Sequence, residues 1–184
     1  IRALPPNTQS YVFPVGDGNR YGLMEIVDPA GYTGTRDFTV RYFNGGSSND
    51  ESAFSTDALN AGLEGVSGNE HWNVDAASPT TSKLKLYWDA NSNVDGDFEN
   101  ELIMVYWDGA AWDTLTTLIS PSGTSSSGYM TSGILSYSTH DVTFGTLDLG
   151  SNPLPVTLLY FKAWNNGLVN ELEWKTATEL NNDY

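Results

Sequence analysis

The residues whose types and spacing could do chemistry are concentrated in one acidic run, Asp89-Ala90-Asn91-Ser92-Asn93-Val94-Asp95-Gly96-Asp97-Phe98-Glu99-Asn100-Glu101. Counted from Asn91, side-chain oxygens fall at positions 1, 3 and 5, with glycine at 6 and an acid at 9. Alternating oxygens wrap a hard cation and the glycine allows the sharp turn, so the chemistry indicated is Ca2+ coordination. Asp89, Asn91, Asn93, Asp95, Asp97 and Glu99 would be the ligands. Position 12, which should carry a bidentate acid, is Leu102, and Glu101 stands one place early. The flanks read as strands, which excludes a helix–loop–helix site. The plainer alternative is an acidic hairpin turn over 94–97 that needs no metal.

Other chemistry finds less support. The chain has two histidines, His71 and His140, with no Gly-x-Ser-x-Gly elbow and no histidine pair at metal-ligand spacing. Ser138-Thr139-His140-Asp141 gathers triad residue types, but a triad is assembled in space and adjacency in sequence carries no weight. Twenty-three carboxylates offer many pairs at the separation used in glycoside hydrolysis, and so would any acidic sandwich. Six Trp and ten Tyr invite a carbohydrate platform. Tyr87-Trp88 and Tyr106-Trp107 each put one aromatic on each face of a strand, and a sheet core accounts for one of each pair. Asp113-Thr114-Leu115 matches an Asp-Thr-apolar acceptor for O-glycosylation at Thr114.

The composition bounds the function class. In 184 residues there are 8 basic and 23 acidic side chains, a net charge of −15 and no cysteine. Nucleic-acid binding is excluded in expectation, because the cations that would neutralise phosphates are missing. So are disulfides and thiol chemistry. No segment approaches the ~18 apolar residues of a membrane span. From Leu86 to Phe161 there are nine acids and no Lys or Arg. That segregation suits a cation site or simply a solvated acidic surface. The first residue is Ile and no signal-peptide-like start is present, so the chain reads as a processed or excised piece of a longer protein.

The elements that must position these residues read as β. Eighteen Gly and eight Pro punctuate the chain, and the apolar residues between them mostly alternate, the pattern of a sandwich or barrel. The spacing predicts strands over 10–15, 20–27, 37–43, 70–74, 82–88, 101–107, 111–119, 129–135, 142–149, 156–164 and 168–175. Residues 44–69 read as a loop with a weak helical run at 55–63, and 120–128 (SPSGTSSSG) as a flexible tip. The expected architecture is an all-β antiparallel sandwich, jelly-roll or immunoglobulin-like, over 1–150. A proline linker at 151–155 and a β-hairpin over 156–184 follow.

Several segments resemble a module of large secreted proteins of Bacteroidota, written S-x-E-Y-W-x-I … V-x-L-x-W-D … V-A-x-W-N-G-x-x-W. They are Gly65-Val66-Ser67-Gly68-Asn69-Glu70-His71-Trp72-Asn73-Val74, Leu84-Lys85-Leu86-Tyr87-Trp88-Asp89 and Val105-Tyr106-Trp107-Asp108-Gly109-Ala110-Ala111-Trp112. Phe13-Pro14-Val15-Gly16-Asp17-Gly18 and Phe144-Gly145-Thr146-Leu147 fit the module's two ends. The tail, Pro153-Leu154-Pro155-Val156-Thr157-Leu158-Leu159-Tyr160-Phe161 and Leu172-Glu173-Trp174-Lys175-Thr176-Ala177-Thr178-Glu179-Leu180-Asn181-Asn182, is similar to the opening of a fibronectin-type-III-like domain in such proteins. His71 stands where an aromatic is commoner, and Leu180 where a polar residue is. The resemblance implies type IX secretion and display at the cell surface.

The functional expectation is therefore a non-catalytic structural or adhesive module of a secreted, surface-exposed protein. Its partners would be other protein subunits or cell-surface glycans, with no nucleic acid and no membrane insertion, and its assembly would be by strand addition. A carbohydrate-binding module is the alternative, and an acidic-dyad glycosidase a more distant one.

Overall fold

The computed structural model describes residues 1–18, 20–45, 58–94, 98–115, 119–147, 158–165, 167 and 170–176. Its first strands are β1 (Arg2–Leu4), β2 (Ser10–Phe13), β3 (Gly16–Asp17), β4 (Arg20–Tyr21), β5 (Met24–Ala30), β6 (Arg36–Asn44) and β7 (Gly65–Val66). Then come β8 (Glu70–Asp89), a 3-10 turn (Ala90–Ser92), a one-turn helix α1 (Phe98–Glu101), β9 (Leu102–Trp107) and β10 (Trp112–Thr114). The chain continues with β11 (Ile119–Thr124), β12 (Ser127–Thr131), β13 (Leu135–Thr146), β14 (Leu158–Asn165) and β15 (Asn170–Thr176).

β8 organises the molecule, because one strand serves both layers of an antiparallel sandwich. Its first part pairs with β6, Asn44 opposite Glu70 through Phe38 opposite Ala76, and with β13, Val142 opposite Trp72. Its second part pairs with β5, Met24 opposite Leu86, and with β12, Ser127 opposite Asp89. The strand changes layer between these parts, near Pro79. There the ladder to β13 skips from Thr139 opposite Asp75 to Tyr137 opposite Thr80. A bulge of this kind bends a strand and lets it turn a sheet corner. The ladder to β5 has its own irregularity between Val27 and Ala30, where Asp28 takes φ +50° beside Pro29.

Alternation fixes what the two layers enclose. Phe38, Val40 and Tyr42 of β6 point inward with Trp72, Val74 and Ala76 of β8's first part. They meet Met24 and Ile26 of β5 and Leu84, Leu86 and Trp88 of β8's second part, with Met104, Met130, Val142 and Phe144 filling between. Trp72 packs edge-on to Phe144 at 5.6 Å, and Trp88 does so to the same ring at 5.9 Å. A second, smaller cluster of Leu63, Val66, Ile103, Val105 and Trp112 lies on the other face of β9. Residues 58–66 supply part of it.

The all-β antiparallel sandwich is the observed class, and several boundaries differ from the sequence expectation. Strands expected at 70–74 and 82–88 are one strand, because the bend at Pro79 interrupts the pattern without ending the pairing. Strand 20–27 divides at Gly22-Leu23 into β4 and β5. The expected flexible tip 120–128 is largely strand. Composition is overridden there by packing: Gly128 lies under the Trp88 indole, which a Cβ would enter, and Trp88 Nε1 donates to the Thr124 carbonyl at 2.8 Å. Residues 58–63 are not helical; Leu59 makes a parallel bridge to Trp112. The second flank of the acidic run is the one-turn helix α1 rather than strand alone. Residues 151–155, the expected linker, lie outside the described residues, as do residues 46–57 of the expected loop 44–69.

Candidate functional site

The most elaborate polar arrangement was not anticipated from sequence, and it lies at the end of the sandwich nearest the start of β8. Among the described residues the short strands β3 and β4 pair only with each other, beside Gly18 at φ +61°. They form a small lobe that carries Arg20 inward, its side chain 10% exposed. One Arg20 Nη2 meets Glu70 Oε2 at 2.9 Å, donates to Ser92 Oγ at 3.0 Å and stands 3.8 Å from Asp89 Oδ1. Nη1 reaches Asn44 Oδ1 and the Asn69 carbonyl, both at 3.4 Å. Glu70, 2% exposed, also accepts from the Tyr42 hydroxyl at 2.9 Å. Its backbone carbonyl accepts from Thr143.

Burial dominates the ionisation of this cluster. It pushes the Glu70 carboxyl above the usual carboxylate range, against the opposing pull of Ser92, Arg20 and Tyr42. Burial and the neighbouring carboxylate together push the Tyr42 hydroxyl well up. Glu70 Oε1 and Arg20 Nε have no hydrogen-bond partner among the described residues. The lobe is fastened a second time where the Trp72 indole donates to the Gly22 carbonyl at 2.7 Å. Gly22 is required at that point, since a Cβ there would fall inside the Tyr42 ring. This arrangement holds a lobe in place; its ions are spent on each other. A faint sequence signal existed, a single Arg among glycines in Gly16-Asp17-Gly18-Asn19-Arg20-Tyr21-Gly22, but nothing local could name Glu70, fifty residues on, as its partner.

Four of the six candidate ligands, Asp89, Asn91, Asn93 and Glu99, lie among the described residues. Asp89 caps the 3-10 turn: Oδ1 accepts from the Asn91 backbone at 2.8 Å, and its own N–H donates to Ser92 Oγ at 3.2 Å. Asn91 is exposed and its carbonyl accepts from Asn69 Nδ2 at 3.2 Å. Asn93 ends the turn in the left-handed region, φ +54°. Glu99 is exposed on α1, while Val94 and Phe98 are buried and anchor the run on either side. Asp95 and Asp97 lie outside the described residues. Among the described residues no group of three His, Asp or Glu side chains is placed to hold a metal.

The aromatic residues divide much as alternation requires. Trp72, Trp88 and Trp112 are buried. Tyr87 faces outward beside Tyr129, ring centres 5.8 Å apart and planes tilted by 51°. Lys85 Nζ sits 3.9 Å over the Tyr129 ring and 3.4 Å from Glu25, which also accepts from the Tyr87 hydroxyl at 2.8 Å. This face is a tilted, lysine-covered pair rather than a flat stacking platform for a sugar ring. The residues of the Ser138 to Asp141 group point apart, as neighbours on a strand must. Thr139 donates to Asp75 at 3.2 Å, Asp141 accepts from Asn73 at 2.9 Å, and His140 turns the other way onto Tyr106, 5.1 Å between ring centres. Burial lowers the pKa of His140. Tyr106, Asp113, Leu115, Leu135 and His140 line a pocket of about 370 Å³ that also borders the half-buried Thr114.

The hairpin of β14 and β15 stands apart in its pairing. The two strands pair with each other, Phe161 opposite Trp174 and Asn165 opposite Asn170, and with no other strand among the described residues. Phe161 is 57% exposed and Trp164 44%. The sandwich has an incomplete edge of its own among the described residues. On the side of β6 away from β8, β1 covers only 36–38, Arg2 opposite Phe38 and Leu4 opposite Arg36. The remainder of that side has no strand partner among the described residues. A groove of about 470 Å³ runs there between Pro14, Val15 and Asp17 on one wall and Val40, Arg41 and Phe43 on the other.

Comparison with known proteins finds no matching family model, no matching curated protein and no matching solved structure.

Proposed function

We propose that this chain is a non-catalytic structural or adhesive module of a large secreted, cell-surface protein, and that it assembles by strand addition through its hairpin. The observation that carries this reading is the hairpin itself. A two-stranded hairpin is marginal in water, and stability requires further strands or a packed face. Here both outer edges are unpaired among the described residues and two large aromatic side chains face solvent. Unprotected edges of this kind pair readily with another chain. The resemblance to secreted surface modules supports the extracellular setting.

Sedimentation velocity over a concentration series tests the reading. The full chain is expected to associate as concentration rises. The Phe161→Asp/Trp164→Asp variant is expected to stay monomeric with an unchanged melting temperature, since neither side chain belongs to the core. A parent chain that is monomeric at every concentration contradicts the proposal.

A further inference from the structure

We infer that the pocket between β9, β10 and β13 is a binding site for an alkylammonium group. The Asp113 carboxylate is the counter-ion, the Tyr106 and His140 rings are the walls, and Leu115 and Leu135 lie against the hydrocarbon stem. The inference is independent of the hairpin's role.

The backbone makes the pocket. β9 and β13 pair from Thr146 opposite Leu102 to Val142 opposite Tyr106, and there the ladder ends. Residues 135–141 of β13 go on pairing with β8 on their other side, through the bulge between Tyr137 and Thr139, and so part from β9. β10 flanks β9 with Asp113 opposite Tyr106. Cross-strand partners share a face, and so do residues two apart on one strand. Asp113, Tyr106 and Val142 therefore lie on one side, and His140 joins them. Leu115 and Leu135, at the margin of the main core, complete the lining with apolar surface.

Charge decides the ligand. Asp113 is half-buried and its Oδ1 accepts from the Thr114 N–H at 2.7 Å. No Lys or Arg pairs with it among the described residues, and the sequence from Leu86 to Phe161 contains none. Burial, then Asp113 and Asp108, raise the pKa of the Tyr106 hydroxyl, which marks the pocket as negative. Burial also lowers the pKa of His140, so its ring is uncharged at neutral pH and does not repel a cation. Aromatic faces attract ammonium ions, more strongly where water is excluded. A metal ion finds too few ligands here, because among the described residues no third His, Asp or Glu joins His140 and Asp113. The volume of about 370 Å³ is near the lower end of small-ligand sites and suits one such group. A free amine and the lysine side chain of another protein both present it.

Amide correlation spectra of the full chain, titrated with n-butylammonium chloride at constant ionic strength, test the assignment. Saturable shifts are expected at 104–106, 113–115 and 135–140. Asp113→Asn keeps the shape of the side chain and is expected to weaken binding about tenfold. Glu99→Gln makes the same charge change at an exposed position and should leave the Kd unchanged. Tyr106→Leu is expected to weaken binding about threefold, and it decides the matter if the Asp113 variant does not fold. Nα-acetyl-lysine methylamide, titrated in parallel, separates the sources: saturable shifts with it support a lysine side chain as the natural occupant, and shifts with butylammonium alone support a free amine. No saturable shift with either amine overturns the inference. So does equal affinity for n-butanol, which lacks the charge, or equal weakening by Asp113→Asn and Glu99→Gln.

Discussion

Replacing Glu70 by Ala is expected to cost the fold about 3–5 kcal/mol, the usual cost of removing one partner of a buried ion pair. The change strands the Arg20 guanidinium, 10% exposed, with Asp89 at 3.8 Å as its remaining carboxylate, and removes the acceptor of the Tyr42 hydroxyl. The pair is costly to break without being a large net source of stability, because both ions surrendered their hydration to enter the site. The Arg20→Met/Glu70→Leu double variant is therefore expected to recover most of the loss. Urea denaturation of the parent, the two single variants and the double variant completes the cycle. A Glu70→Ala loss below about 1 kcal/mol, the scale of an exposed pair, would mean that water reaches the cluster.

Trp72→Ala is expected to be as damaging, about 3–5 kcal/mol, the usual cost of deleting a large aromatic from a core. Trp72 is wholly buried, contacts Tyr42 and Phe144 rings at 5.3 and 5.6 Å, and holds the Gly22 carbonyl through its indole N–H. Trp72→Phe keeps most of the volume but leaves that buried carbonyl without its donor. Its cost should fall at about 1–3 kcal/mol, the penalty of one unsatisfied buried group. Melting temperatures of the two variants in one buffer check the order, and equal losses would mean that the packing of the ring contributes nothing beyond the indole N–H.

Both variants touch features that the sequence exposed unequally. Alternation in Lys83-Leu84-Lys85-Leu86-Tyr87-Trp88 made a half-buried strand legible, with one aromatic of Tyr87-Trp88 assigned to the core without saying which, and nothing in that segment bears on Trp72. The class of fold followed from the same period-two signal. The bend in β8 was not legible, since Ala77-Ser78-Pro79 reads as a strand end and only pairing on both sides shows that the strand continues. Most of β11 and the first residues of β12 were hidden by Ser and Gly, and Gly128 under Trp88 reflects a close approach. The Arg20/Glu70 contact was beyond local reasoning altogether, because it joins residues fifty positions apart. The acidic run was legible as a pattern; its described members act as a helix cap, exposed polar groups and a left-handed turn residue.

The reading as an assembling module stands or falls on the hairpin. Hydrogen exchange of the full chain, followed by mass spectrometry at low and high concentration, tests it most directly. At low concentration the amides of 158–165 and 170–176 are expected to exchange far faster than those of the central ladder between β6 and β8, and to gain protection as concentration rises. Protection equal to that ladder's at every concentration would show the hairpin already satisfied within one molecule, and would contradict the account.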